Sequence, residues 1–124
     1  MTEARNFKRV ILIVDDDQAV RDTLSKALRF DGHVVTSAAD GPEALSIFEP
    51  KMFDLVFTDL KMPGMAGDKV AAEIKRRAPT QAVVAVTAHV QNLRDALVPW
   101  FDDYIGKPFT LKDLRDLIEK YAPA

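Results

Sequence analysis

An open parallel α/β sheet with helices on both faces is the fold this sequence predicts. Three observations predict it. Continuous apolar runs at Val10–Val14, Leu55–Thr58 and Ala82–Val86 suit strands buried on both faces. Helical patterns fall between the runs, so the order is strand then helix, five times. The connections are short, and right-handed crossovers then lay the helices on both sides of the sheet.

The elements follow in order. Val10-Ile11-Leu12-Ile13-Val14 is the first strand. Val20, Leu24, Ala27 and Leu28 share one face of a first helix, and Gly32 suits its C-terminal end. Val34-Val35-Thr36 is a short flanking strand. Gly41-Pro42 opens a second helix, with proline in the first turn. The run at 55–58 is the third strand. Val70 and Ile74 mark a third helix that closes before Pro79. The run at 82–86 is the fourth strand, and Gln91 to Val98 a short fourth helix. Tyr104-Ile105 is the fifth strand. Leu111, Leu114, Ile118 and Tyr121 give a fifth helix, with Thr110 as its N-cap.

A chain of 124 residues is expected to form a single domain spanning 1–124, with a core over about 8–121. With 48% hydrophobic and 29% charged residues it has a globular composition. The absence of cysteine excludes a disulfide scaffold, a thiolate zinc site and thiol catalysis. A net charge of −2 argues against non-specific nucleic-acid binding. No apolar run is long enough for a membrane span, and the polar start, Met1 to Lys8, does not read as a secretory signal. The expected location is cytoplasmic, with neither membrane nor direct nucleic acid as a partner.

In open α/β sheets the ligand site lies beyond the carboxyl ends of the strands. There the sequence places Asp15-Asp16-Asp17, then Asp59, then Thr87-Ala88, then Lys107-Pro108. Taken singly, each has a plain reading: aspartates that cap a helix, a turn aspartate, a capping threonine, a surface lysine. Their joint placement at four strand ends favours chemistry. Clustered carboxylates repel unless a cation relieves them, and magnesium takes oxygen ligands of this kind. A lysine and a hydroxyl suit phosphate, and aspartate can itself be the nucleophile. Together they fit phosphoryl transfer.

Four segments then resemble the receiver (CheY-like) domain of two-component response regulators: Ile11–Asp17, Asp54–Met65, Val86-Thr87-Ala88 and Asp102–Phe109. The resemblance covers about Lys8 to Tyr121. It implies a flavodoxin-like doubly wound sheet of order 2-1-3-4-5. It implies that Asp59 accepts a phosphoryl group from a sensor histidine kinase or a histidine phosphotransfer protein. Asp15, Asp16, Asp59 and the backbone carbonyl of Lys61 would hold Mg2+, for which Mn2+ can substitute. Lys107 would pair with the phosphoryl group, before a cis bond to Pro108. Thr87 would hydrogen-bond the phosphoryl oxygen and Tyr104 would follow it inward. The face made by the fourth helix, fifth strand and fifth helix would change with them. Lys61 and His89, two residues after Asp59 and Thr87, would tune the phosphoryl lifetime.

The chain departs from the family pattern at Pro99-Trp100-Phe101, where a small Gly-Ala segment is common. Trp100 either packs locally over the sheet end or anchors a partner on the signalling face. Lys75-Arg76-Arg77 reads as a solvated helix end, Phe48, Met52 and Phe53 as core or rim packing, and His33 as an edge-strand residue without a metal. The expected role is a switch that turns over no outside substrate, as a monomer or a phosphorylation-dependent dimer. Its downstream side is a protein partner or an output domain that this sequence does not include. Two alternatives remain: a phosphorylation-independent pseudo-receiver, and an aspartate-nucleophile phosphatase. The second is opposed by Lys61, where that class places another aspartate.

Overall fold

Five parallel strands form one sheet of order β2-β1-β3-β4-β5. They are β1 (Val10–Val14), β2 (Val34–Ala38), β3 (Leu55–Asp59), β4 (Val83–Thr87) and β5 (Asp103–Gly106). The computed structural model describes residues 8–88 and 100–123. Four helices lie within them: α1 (Gln18–Phe30), α2 (Gly41–Ile47), α3 (Gly67–Arg77) and α4 (Leu111–Tyr121). The predicted fourth helix lies outside the described residues, so the predicted fifth is α4. His89 and Pro99 are outside them too. The fold is the flavodoxin-like one that the resemblance implied.

The central strands β3 and β4 are buried at every position, as their unbroken apolar runs require. Alternate residues feed two cores. Ile11, Ile13, Phe57 and Val86 face α1 and α4, where Leu24, Leu28, Leu114 and Ile118 meet them. Leu12, Val14, Val56 and Ala85 face α2 and α3, with Ala44, Phe48, Val70 and Ile74. Phe48 and Phe53 stack with centroids 6.0 Å apart. Met52 is about half exposed, so of that trio it alone stays out of the core.

Several helix ends read correctly. Thr110 caps α4 through a reciprocal bond pair with Asp113. Gly32 has φ +90 beyond the end of α1. The strand ends differ from expectation in a way that matters. β3 runs on to include Asp59, and β4 to include Thr87. Both residues are therefore held by the sheet rather than by a loop.

The basic run at the end of α3 is not a solvated end. Arg76 is exposed, but Lys75 reaches Asp102 Oδ2 at 2.7 Å and donates to the carbonyl of Gln81. The same Asp102 oxygen accepts the N–H of Val83 at 2.8 Å, so one carboxylate ties α3 to both edges of the β4–β5 pair. Arg77 donates to the carbonyl of Leu45 and links α3 to α2. On the other face, Tyr121 donates to Asp103 Oδ2 at 2.8 Å and Arg115 grips Asp31 with two bonds. His33 accepts the N–H of Arg9 at Nδ1, 3.1 Å away. That bond needs a neutral ring, and burial is the main cause holding the imidazole below its ordinary pKa.

Candidate functional site

Parallel register brings the strand ends level. Val14 pairs with Thr58, Asp59 with Val86, and Thr87 with Gly106. The residues that follow or close each strand therefore meet at one edge. Carboxylate oxygens of Asp15, Asp16 and Asp59 all lie within 4.8 Å of one another. Lys107 Nζ stands 3.1 Å from Asp15 Oδ2 and 3.6 Å from Asp59 Oδ2. Its backbone N–H donates to the carbonyl of Thr87 at 2.8 Å. The Lys107–Pro108 bond is cis. Thr87 is buried. Lys61 is exposed, with its backbone N–H turned to Asp59.

The three consecutive aspartates divide their work. Asp17 caps α1, its side chain accepting the N–H of Ala19, so the capping reading is right for this one residue. Asp15 is 1% exposed and its Oδ1 accepts the N–H of Asp17. Its Oδ2 is the one buried side-chain oxygen among the described residues without a hydrogen bond. The Lys107 ammonium is close enough to neutralise it. Asp16 is exposed and opens the cluster to solvent.

A buried carboxylate oxygen lacking a donor, beside two further carboxylates, is a donor set for a hard divalent cation. The residues present therefore fit magnesium. The electrostatics agree. Burial first, and then the Asp15 carboxylate, push the Asp59 carboxyl up to about 6, with Asp16 adding to the rise. The Lys107 ammonium and the Lys61 N–H oppose it. An added cation would favour the ionised form.

A stability prediction follows from the sign of that shift. The folded-state pKa lies above the unfolded value, so this group's contribution is fully present below about pH 4 and is lost as pH rises through about 6. At neutral pH the metal-free protein carries a penalty on the order of 1–2 kcal/mol, after a discount for the solvent-open side of the site. Asp59→Asn is expected to remove it. Urea unfolding in chelator should show the variant more stable than the parent by a gap that widens between about pH 4 and about pH 7. A gap independent of pH would contradict this origin.

Two residues that sequence reasoning missed hold the site from behind. Gly67 opens α3 so close to β3 that a Cβ there would lie 1.9 Å from the Asp59 carbonyl oxygen. Arg21 donates to the Asp15 carbonyl at 2.6 Å. A glycine at a helix start and an arginine in the first turn of a helix carry no sequence signal of such contacts. Trp100, by contrast, is 40% exposed and lies beside α3. With Lys69, Ala72, Glu73, Lys75 and Arg76 it lines an open hollow of about 470 Å³. Tyr104 is half-buried against the α2–α3 core.

Among the described residues no helix is long and apolar enough to cross a membrane. Comparison with known proteins agrees with the geometry. A family model, the response regulator receiver domain, matches residues 11–119. The response regulator FleR of Pseudomonas aeruginosa is 34% identical over 114 residues, covering 90% of this chain and 24% of FleR. The response regulator MprA of a Mycobacterium species is 35% identical over 119 residues, covering 91% of this chain and 52% of MprA. The chain thus spans from about a quarter to about half of the length of these relatives. Among solved structures, the response regulator TrrA of Thermotoga maritima, in complex with Mg2+–BeF, superposes with a TM-score of 0.84 at 32% identity. That match covers 91% of this chain and 98% of TrrA. A receiver domain of a Pseudomonas aeruginosa sensor histidine kinase, with magnesium in its active-site cleft, gives a TM-score of 0.85 at 26% identity, covering 95% and 100%. With its acidic cluster at the carboxyl edge of a 2-1-3-4-5 sheet and a family match along nearly its whole length, this chain belongs to the response regulator receiver domains of two-component systems.

Proposed function

We propose that Asp59 accepts a phosphoryl group from a phosphohistidine of a sensor kinase or phosphotransfer protein. The observation that carries this reading is the single ammonium of Lys107 between the carboxylates of Asp15 and Asp59. Asp15, Asp16 and Asp59, with the backbone carbonyl of Lys61, would hold Mg2+, or Mn2+ in its place. Such an ion supplies charge neutralisation for the phosphoryl oxygens.

The chain's own groups do the rest. An Asp59 oxygen forms a bond to phosphorus as the N–P bond of the donor breaks, and the electron pair leaves with the imidazole. Lys107 pairs with the phosphoryl oxygens as a point charge. The Thr87 hydroxyl donates to one of them, and Tyr104 follows it inward. That movement alters the face of β5 and α4 for a protein partner or an output domain. Lys61, exposed beside the acceptor, tunes the lifetime of the aspartyl phosphate, with His89. No outside substrate is turned over.

The test is intact mass after incubation with Mg2+ and acetyl phosphate. The parent should gain one phosphoryl group; Asp59→Asn and the chelated parent should gain none. A parent that binds Mg2+ but gains no mass would instead be a phosphorylation-independent pseudo-receiver.

A further inference from the structure

We propose that Arg21 is a positioning residue for the acidic site: it locks the peptide unit that joins Asp15 to Asp16. This rests on the reading of those two residues as magnesium ligands. The Asp15 carbonyl and the Asp16 N–H belong to one planar unit. If that plane rotates, the Asp16 carboxylate swings away from those of Asp15 and Asp59. Arg21 Nη1 donates to the carbonyl at 2.6 Å, a charge-assisted bond of the strong class.

Among the described residues, Arg21 is the donor to that carbonyl. Asp15 N–H extends the sheet to the carbonyl of Ala38 at 3.1 Å. Asp15 Oδ1 takes the N–H of Asp17 at 2.9 Å. Arg21's own N–H closes the first turn of α1 on the Asp17 carbonyl at 3.0 Å. One residue thus closes the helix with its backbone and the preceding turn with its side chain. What remains without a hydrogen bond on Asp15 is the buried Oδ2, which faces the Lys107 ammonium at 3.1 Å. Arg21 touches neither Lys107 nor Asp59 in any bond described above, so its influence passes through the turn.

Outer groups that orient metal ligands typically change affinity by about 10- to 100-fold when removed. The experiment uses the intact chain as parent, Arg21→Met, which keeps the apolar stem without donors, and Arg21→Lys, which restores a cationic donor. Mg2+ is titrated calorimetrically, and amide hydrogen exchange is followed in chelator. Arg21→Met should bind Mg2+ about tenfold more weakly, with Arg21→Lys in between. Exchange of the Asp17 amide should quicken while that of β3 and β4 does not. An Arg21→Met that is folded and binds Mg2+ within about twofold of the parent overturns the proposal and leaves the magnesium reading standing. If Arg21→Met fails to fold, Arg21→Lys with affinity below the parent's and quickened Asp17 exchange supports the proposal. The same variant with weakened affinity but unchanged Asp17 exchange overturns it. A parent that does not bind Mg2+ removes both readings.

Discussion

Gly67→Ala is expected to lose about 3 kcal/mol of stability or more, and with it the ability of Asp59 to be phosphorylated. The added Cβ would lie 1.9 Å from the Asp59 carbonyl oxygen, 2.9 Å from its carbon and 3.0 Å from Leu60 Cα. All three are backbone atoms, so no side chain can rotate away. Either α3 lifts from the sheet or the end of β3 bends. The first opens the core around Val70, Ala71 and Ile74, which are fully buried. The second moves the acceptor itself. The Gly67 N–H also donates to the Leu60 carbonyl at 2.9 Å, and that bond fails in both cases. Urea unfolding with acetyl-phosphate labelling would check it. A variant within about 1 kcal/mol of the parent that still labels at Asp59 would show that the approach is softer than it looks. Gly64 makes the contrast: a Cβ there meets nothing within 4 Å, and its cost comes only from φ +82.

Lys107→Met should be the other severe change. Asp15 is buried, its Oδ2 has no hydrogen bond, and the ammonium 3.1 Å away is the cation facing it. Removing one partner of a buried ion pair costs about 3–5 kcal/mol. Lys107 is one-fifth exposed, so about 2–3 kcal/mol is expected at about pH 8 in chelator. Two signatures separate this from lost packing. The deficit should shrink as pH falls through about 6, where Asp59, its carboxyl raised by burial, takes up a proton and no longer needs the cation. Excess Mg2+ should stabilise the variant by more than it stabilises the parent, since a divalent ion supplies the missing charge. Equal stabilisation of both would count against the charge argument. If Lys107 pairs with the phosphoryl group as proposed, phosphorylation should fall by at least about tenfold whatever the metal does for stability.

Much of this was legible in the sequence because strands buried on both faces cannot disguise themselves. Val10–Val14 and Val83–Thr87 have no polar residue before their last position, and only a sheet covered by helices accommodates that. Asp15, Asp59 and Lys107 were legible because a parallel sheet sends every carboxyl end to one edge. The division among Asp15, Asp16 and Asp17 was not legible from three identical side chains in a row. It is settled by which one faces the free N–H groups of α1. Lys75 was misread because its partner, Asp102, lies 27 residues away and is met only across the finished sheet. Gly67 was missed because its close approach to β3 exists only once α3 packs on the sheet, and Arg21 because its reach to a carbonyl six residues back is set by the turn and not by its residue type.

The guanidinium of Arg9, just before β1, donates to the carbonyl of Ala122, just past α4. Residues 9 and 122 therefore lie at the same pole, and the acidic cluster sits at the other. Such a unit behaves as a cassette. Its two described ends lie together, away from the acidic cleft. Spliced into chains of different lengths and different companions, it keeps its chemistry unobstructed, and any message to a neighbour on the same chain has to travel the full height of the sheet.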